Sequence, residues 1–100
     1  MTINIQFERV PFSETLTEYV ISKLNRLGSS YRVNKAQVFF KKVNAAAGKD
    51  KICEMRLDLS GKGITAVSSE SSFEKALRET AENIEKLLIT KAAPTTGDLL

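Results

Sequence analysis

The chain has 100 residues, 42% of them apolar and 27% charged, with a net charge of +3. That is enough for one small domain with a single core, and no apolar run approaches the roughly 20 residues that a membrane-spanning helix needs. One cysteine, Cys53, and no histidine exclude an internal disulfide and a zinc constellation, and remove the usual partners of acid–base and nucleophilic catalysis.

The positive charge is unevenly placed. Residues 1–50 carry eight Lys/Arg against four Asp/Glu, and residues 51–100 carry seven against eight. From Tyr19 to Lys49 there is no acidic residue at all, but there are Lys23, Arg26, Arg32, Lys35, Lys41, Lys42 and Lys49. A one-signed stretch that also forms secondary structure is a candidate surface for a polyanion.

In Thr2–Phe7, Ile3, Ile5 and Phe7 alternate with polar residues, the period of a half-buried strand. The N-terminus alternates and has no basic n-region, so no signal peptide is expected and the default compartment is the cytosol. Pro11 closes the connection that follows. Ser13 is a good N-cap, with Glu14 in the first turn and Phe12 placed as a staple residue. Leu16, Val20, Leu24 and Leu27 recur at helical spacing, and Gly28 is a natural stop, which predicts a helix over 13–28. At 100° per residue, Tyr19, Lys23 and Arg26 fall on one flank of its apolar stripe.

Residues 29–35 read as a polar, basic loop and Ala36–Val43 as a second strand. The run Val38-Phe39-Phe40 is too apolar for clean alternation, which suggests that both of its faces are partly covered. Lys41 and Lys42 near its end suit either RNA contact or the discouragement of edge pairing. Asn44–Asp50 is hairpin-length. Ile52–Leu59 alternates most clearly, with Cys53, Met55, Leu57 and Leu59 on one side; Cys53 reads as a small core hydrophobe. Gly61-Lys62-Gly63 is expected as a tight turn and Ile64–Ser69 as a fourth strand. Ser71 or Ser72 caps a second helix whose apolar face runs from Phe73 through Ala76, Leu77, Thr80, Ala81, Ile84 and Leu87 to Leu88. Its other face alternates in sign, as solvated helices do. Residues 92–100, with Pro94 and Gly97, read as a flexible tail beyond a single domain of residues 1–91.

The order is thus β-α-β-β-β-α, an α+β domain. One-sided strands and helices predict two helices on one face of a four-stranded mixed sheet. The first two strands should be parallel neighbours joined by a right-handed crossover.

Four stretches together resemble a known family: the strand INIQF, the helix SETLTEYVISKLNRL, the strand-turn-strand CEMRLDLSGKGITA and the helix SFEKALRETAENIEKLL. In order and spacing they are similar to the ribosome hibernation factors, also described as sigma-54 modulation proteins and ribosome-associated translation inhibitors. The resemblance covers roughly residues 2–91. It implies a fold like the double-stranded-RNA-binding domain. It also implies binding to the small ribosomal subunit in the mRNA/tRNA channel and the silencing of idle ribosomes in stationary phase or stress. The chain looks like the short type, without a C-terminal dimerisation domain. By this resemblance Lys23, Arg26 and Lys86 match basic positions of the two helices. The chain departs from the pattern in three ways. Phe7, Glu8 and Arg9 stand where many members have Gly-Arg-Asn. Asn83-Ile84 replaces a Lys-Leu pair, and Leu87 replaces a Gln. Only Lys86 and Lys91 remain of the usual basic end of the last helix.

The expected RNA-contact set is therefore Tyr19, Lys23, Arg26, Arg32, Lys35, Lys41, Lys42, Lys86 and Lys91. Tyr19 and Tyr31 suit either base stacking or the edge of the core. Recognition by shape and backbone needs no cofactor, metal, membrane or small-molecule substrate, and no catalytic constellation is present. Two other readings stay open: an RNA-binding module with a non-ribosomal target, and a protein-interaction module that uses the open sheet face or Val38–Phe40.

Overall fold

The computed structural model describes residues 1–44 and 48–91. The expected tail lies outside the described residues. Six elements follow in the expected order: β1 (Thr2–Glu8), α1 (Glu14–Ser30), β2 (Lys35–Lys42), β3 (Lys51–Leu59), β4 (Lys62–Glu70) and α2 (Phe73–Lys91). The sheet runs β1-β2-β3-β4, with β1 and β2 parallel and the other neighbours antiparallel. Because α1 lies between β1 and β2 in the chain, those two strands can run in the same direction.

Strand register explains which side is buried. Ile5, Val38, Met55 and Ala66 lie in one row across the sheet, and Phe7, Phe40, Cys53 and Ser68 in another. These rows share one face, and their residues on β2 and β3 are fully enclosed. Leu16, Val20, Leu24 and Leu27 of α1 and Ala76, Leu77, Ile84 and Leu88 of α2 complete the same core. Both helices therefore cover one side of the sheet. Phe40 stands at the centre of an aromatic group, stacked on Phe7 at 5.1 Å and edge-on to Phe73 at 5.7 Å.

Two buried polar groups stand out in this core. Thr80 Oγ1 donates to the Cys53 carbonyl at 3.1 Å, tying α2 to β3. Ser68 Oγ has no hydrogen-bond partner among the described residues.

Helix ends follow capping chemistry. Ser13 Oγ accepts from the Leu16 amide at 3.2 Å, and Ser72 Oγ from the Lys75 amide at 3.2 Å, which decides between Ser71 and Ser72. Three local expectations are corrected. α1 does not stop at Gly28 but continues to Ser30, where the Tyr31 amide still reaches the Leu27 carbonyl at 2.9 Å. Gly28 lies within the helix beside the flexible end of the Met1 side chain, which a Cβ there would displace. Phe12 is not a staple. The staple position on α1 is the polar Thr17, and Phe12 packs edge-on against Phe7 at 5.4 Å. The β3–β4 turn is tighter than expected, only Ser60-Gly61, because Gly61 adopts φ +79° and Lys62 already pairs with Leu59.

Candidate nucleic-acid interface

The basic residues of the Tyr19–Lys49 stretch separate into three places. The first is a groove between the helices. Lys23, Arg26, Leu27, Ser30 and Tyr31 form one wall, and Ala81, Glu82 and Glu85 form the other, around about 310 Å³. Lys23 and Arg26 are three residues apart on α1, so one helical turn brings them to the same side. Lys23 Nζ also lies over the Tyr19 ring, 5.8 Å from its centroid. Tyr19 itself is half-buried and packed on the core, so it holds Lys23 rather than lining the groove. Arg26 is exposed. No ion pair joins the two walls among the described residues.

The second place is the end of α1. Arg32 lies in a shallow hollow with Met1, Gly28, Ser29, Ser30, Tyr31 and Val33. Tyr31 belongs to both hollows.

The third place is the sheet. Lys35 and Lys41 alternate with core residues, so they project from the open face, away from Lys23 and Arg26. Lys41 Nζ is 3.2 Å from Glu54 Oε1, and Arg56 Nε is 2.6 Å from Glu54 Oε2. Both cations lie over Phe39, with the Arg56 guanidinium 5.0 Å and Lys41 Nζ 5.8 Å from its ring centroid. This explains the unbroken run Val38-Phe39-Phe40: two of its members are core, and the third is covered by charged side chains. Burial acts to raise the Glu54 carboxyl, but its hydrogen bonds to Arg56 and Lys41 outweigh that and hold it below its ordinary range. Lys42 points the other way and lies 3.9 Å from Asp50, which also pairs with Lys51 at 2.8 Å. The Lys51 hydrogen bond, aided by both lysine charges, lowers the Asp50 carboxyl.

The acid-free stretch is thus not one surface. Lys23 and Arg26 meet in a groove, Arg32 adjoins it, and Lys35, Lys41 and Lys42 stand elsewhere. Lys86 is exposed on α2 but does not line the groove, because it follows Glu85 by a 100° turn of the helix. Lys91 ends α2, and its side chain lies outside the described residues. Sequence reasoning missed the opposing wall of Glu82 and Glu85. Only the adjacency of α1 and α2 reveals it.

A family model described as sigma 54 modulation protein / S30EA ribosomal protein matches residues 3–92. The chain belongs to this family. It is a family of ribosome-associated modulators, not of enzymes. Two solved structures are similar to the family member described here. One is a ribosomal subunit interface protein from Coxiella burnetii, with a TM-score of 0.78 and 21% identity over 94% of this chain and 100% of that one. The other is the N-terminal domain of Protein Y from Thermus thermophilus, with a TM-score of 0.74 and 20% identity over 88% of this chain and 96% of that one. At these identities the likeness carries the fold. No curated protein sequence matches the chain. No helix among the described residues is long and apolar enough to cross a membrane.

Proposed function

We propose that this protein binds the small ribosomal subunit in the mRNA/tRNA channel, in the cytoplasm, and silences idle ribosomes by occupying that path. Family membership supports the ribosomal target. The observation that carries the contact surface is the α1 wall, where Lys23 and Arg26 stand one turn apart on an open groove, with no carboxylate partner within ion-pair distance among the described residues. Two such cations neutralise neighbouring phosphates and release counterions, which drives binding without reading bases. Arg32, at the end of the same helix, extends the contact. Lys35, Lys41, Lys42, Lys86 and Lys91 are secondary positions in this reading. A folded domain lodged in the channel excludes mRNA and tRNA, so inhibition needs no chemical step.

The rival protein-docking surface at Val38–Phe40 loses its basis. Val38 and Phe40 are fully buried, and Phe39 is 8% exposed beneath Arg56 and Lys41.

Sedimentation with vacant ribosomes across a salt series tests the proposal. The wild type co-sediments with small subunits at low salt and is released steeply as salt rises. The double variant Lys23→Glu/Arg26→Glu loses binding while keeping its circular dichroism spectrum. Unchanged binding in that variant overturns the α1 surface. Equal affinity for a free RNA duplex favours a non-ribosomal target instead.

A further inference from the structure

We infer that the outer edge of β4 is a self-association surface, on which a second copy of this chain pairs antiparallel to extend the sheet. β4 is the last strand of the sheet, so half of its backbone N–H and C=O groups face outward with no strand beyond among the described residues. Exposed edges of this kind are normally blunted by charge, proline or a bulge. β4 has neither proline nor bulge, and its charges, Lys62 and Glu70, stand only at its two ends. Its nine residues pair with β3 in unbroken register, and between Lys62 and Glu70 there is neither a charge nor a proline. Thr65, Val67 and Ser69 lie exposed on the open face, and Val67 is 54% exposed, a large apolar side chain in mid-strand.

The strand is also complementary to itself. Antiparallel pairing centred on Ala66 sets Thr65 against the partner's Val67 and, by symmetry, Val67 against the partner's Thr65. Both are β-favouring residues on one face. The same register sets Lys62 against the partner's Glu70 at both ends, on the helix-covered face. β1, the opposite edge, has no such match, because antiparallel self-pairing leaves Glu8 against Thr2. A β1-to-β4 pairing joins unlike edges and does not close, whereas β4 with β4 closes as a two-fold dimer. The two-fold axis runs through the sheet, so an eight-stranded sheet results with all four helices on one side. The inference stands on the sheet edge alone and is independent of the RNA reading.

Sedimentation equilibrium of the full chain over a rising concentration series is the test. The wild type shifts from the monomer mass of 11.1 kDa toward twice that value. Val67→Lys, at an exposed site, weakens association by roughly tenfold or more while leaving the fold intact by circular dichroism. Thr65→Lys acts in the same way. Glu70→Lys weakens the dimer, and Lys62→Glu/Glu70→Lys restores it. Gln6→Lys on β1 leaves it unchanged. A wild type that stays monomeric throughout overturns the inference. So does a Val67→Lys variant that dimerises like the wild type, or a Gln6→Lys variant that fails to dimerise.

Discussion

Arg9 has φ +58°, alone among the described non-glycine residues in the left-handed region. It follows β1 directly and turns the chain toward Pro11 and the start of α1. That conformation costs an ordinary residue about 1 kcal/mol because Cβ crowds the backbone carbonyl, whereas asparagine tolerates it. Arg9→Asn should therefore raise stability by about 0.5–1 kcal/mol, read as an upward shift in the urea midpoint with an unchanged slope. A lower midpoint would mean that the Arg9 side chain contributes more than its backbone strain removes. By the resemblance drawn from the sequence, Phe7-Glu8-Arg9 stands where many hibernation factors have Gly-Arg-Asn. The cluster of Phe7, Phe12, Phe40 and Phe73 shows what Phe7 supplies there: an aromatic ring that continues the core toward the β1–α1 connection.

At the scale of elements, the groove is a confrontation of two helices. α1 offers Lys23 and Arg26, and α2 offers Glu82 and Glu85 across about 310 Å³. Carboxylates beside a phosphate track repel it, so α2 should limit affinity. Glu82→Lys/Glu85→Lys should tighten ribosome binding at low salt and steepen the slope of log affinity against log salt by up to about 2, if each new lysine meets a phosphate. An unchanged slope in a folded variant would show that α2 faces away from the RNA. The elements themselves were legible in the sequence because burial is one-sided. Period 2 in Ile52–Leu59 and period 3.6 in Leu16–Leu27 each record a single covered face. The α1 pair was legible for the same reason, since one helix sets its geometry. The opposing Glu82 and Glu85 were not, because their nearness to Lys23 depends on how two distant helices pack. Nor was the Phe39–Glu54–Arg56 arrangement, which depends on cross-strand register. Gly28 was misread as a stop because glycine permits a left-handed turn without requiring one.

At the scale of the whole molecule, one core joins α1, α2 and all four strands, and Cys53 lies fully enclosed within it. A single core of this size should unfold in one cooperative step. Cys53 then reports on that step. Burial pushes its thiol up to about 12, an effect that the Thr80 hydroxyl reduces and the Glu54 charge reinforces. In the unfolded chain a cysteine ionises near its ordinary value of about 8.5. Between those values the native chain holds a proton that the unfolded chain has released, so rising pH favours unfolding. Stability should therefore decline from about pH 8.5 upward. Glu54 sets the opposite limit. Its carboxyl is lowered in the fold, so its contribution is present above the ordinary glutamate range and fades as pH falls through its depressed value. Urea midpoints across pH should show a plateau near neutrality with a decline on each side, and Cys53→Ala should flatten the alkaline side. Thiol labelling supplies the independent check. Under native conditions at neutral pH, a disulfide reagent should modify Cys53 only through opened molecules, at a rate proportional to the unfolded population and accelerated by urea in step with global unfolding. Fast labelling without urea would mean that α2 lifts from β3 locally, breaking the Thr80–Cys53 hydrogen bond while the sheet persists.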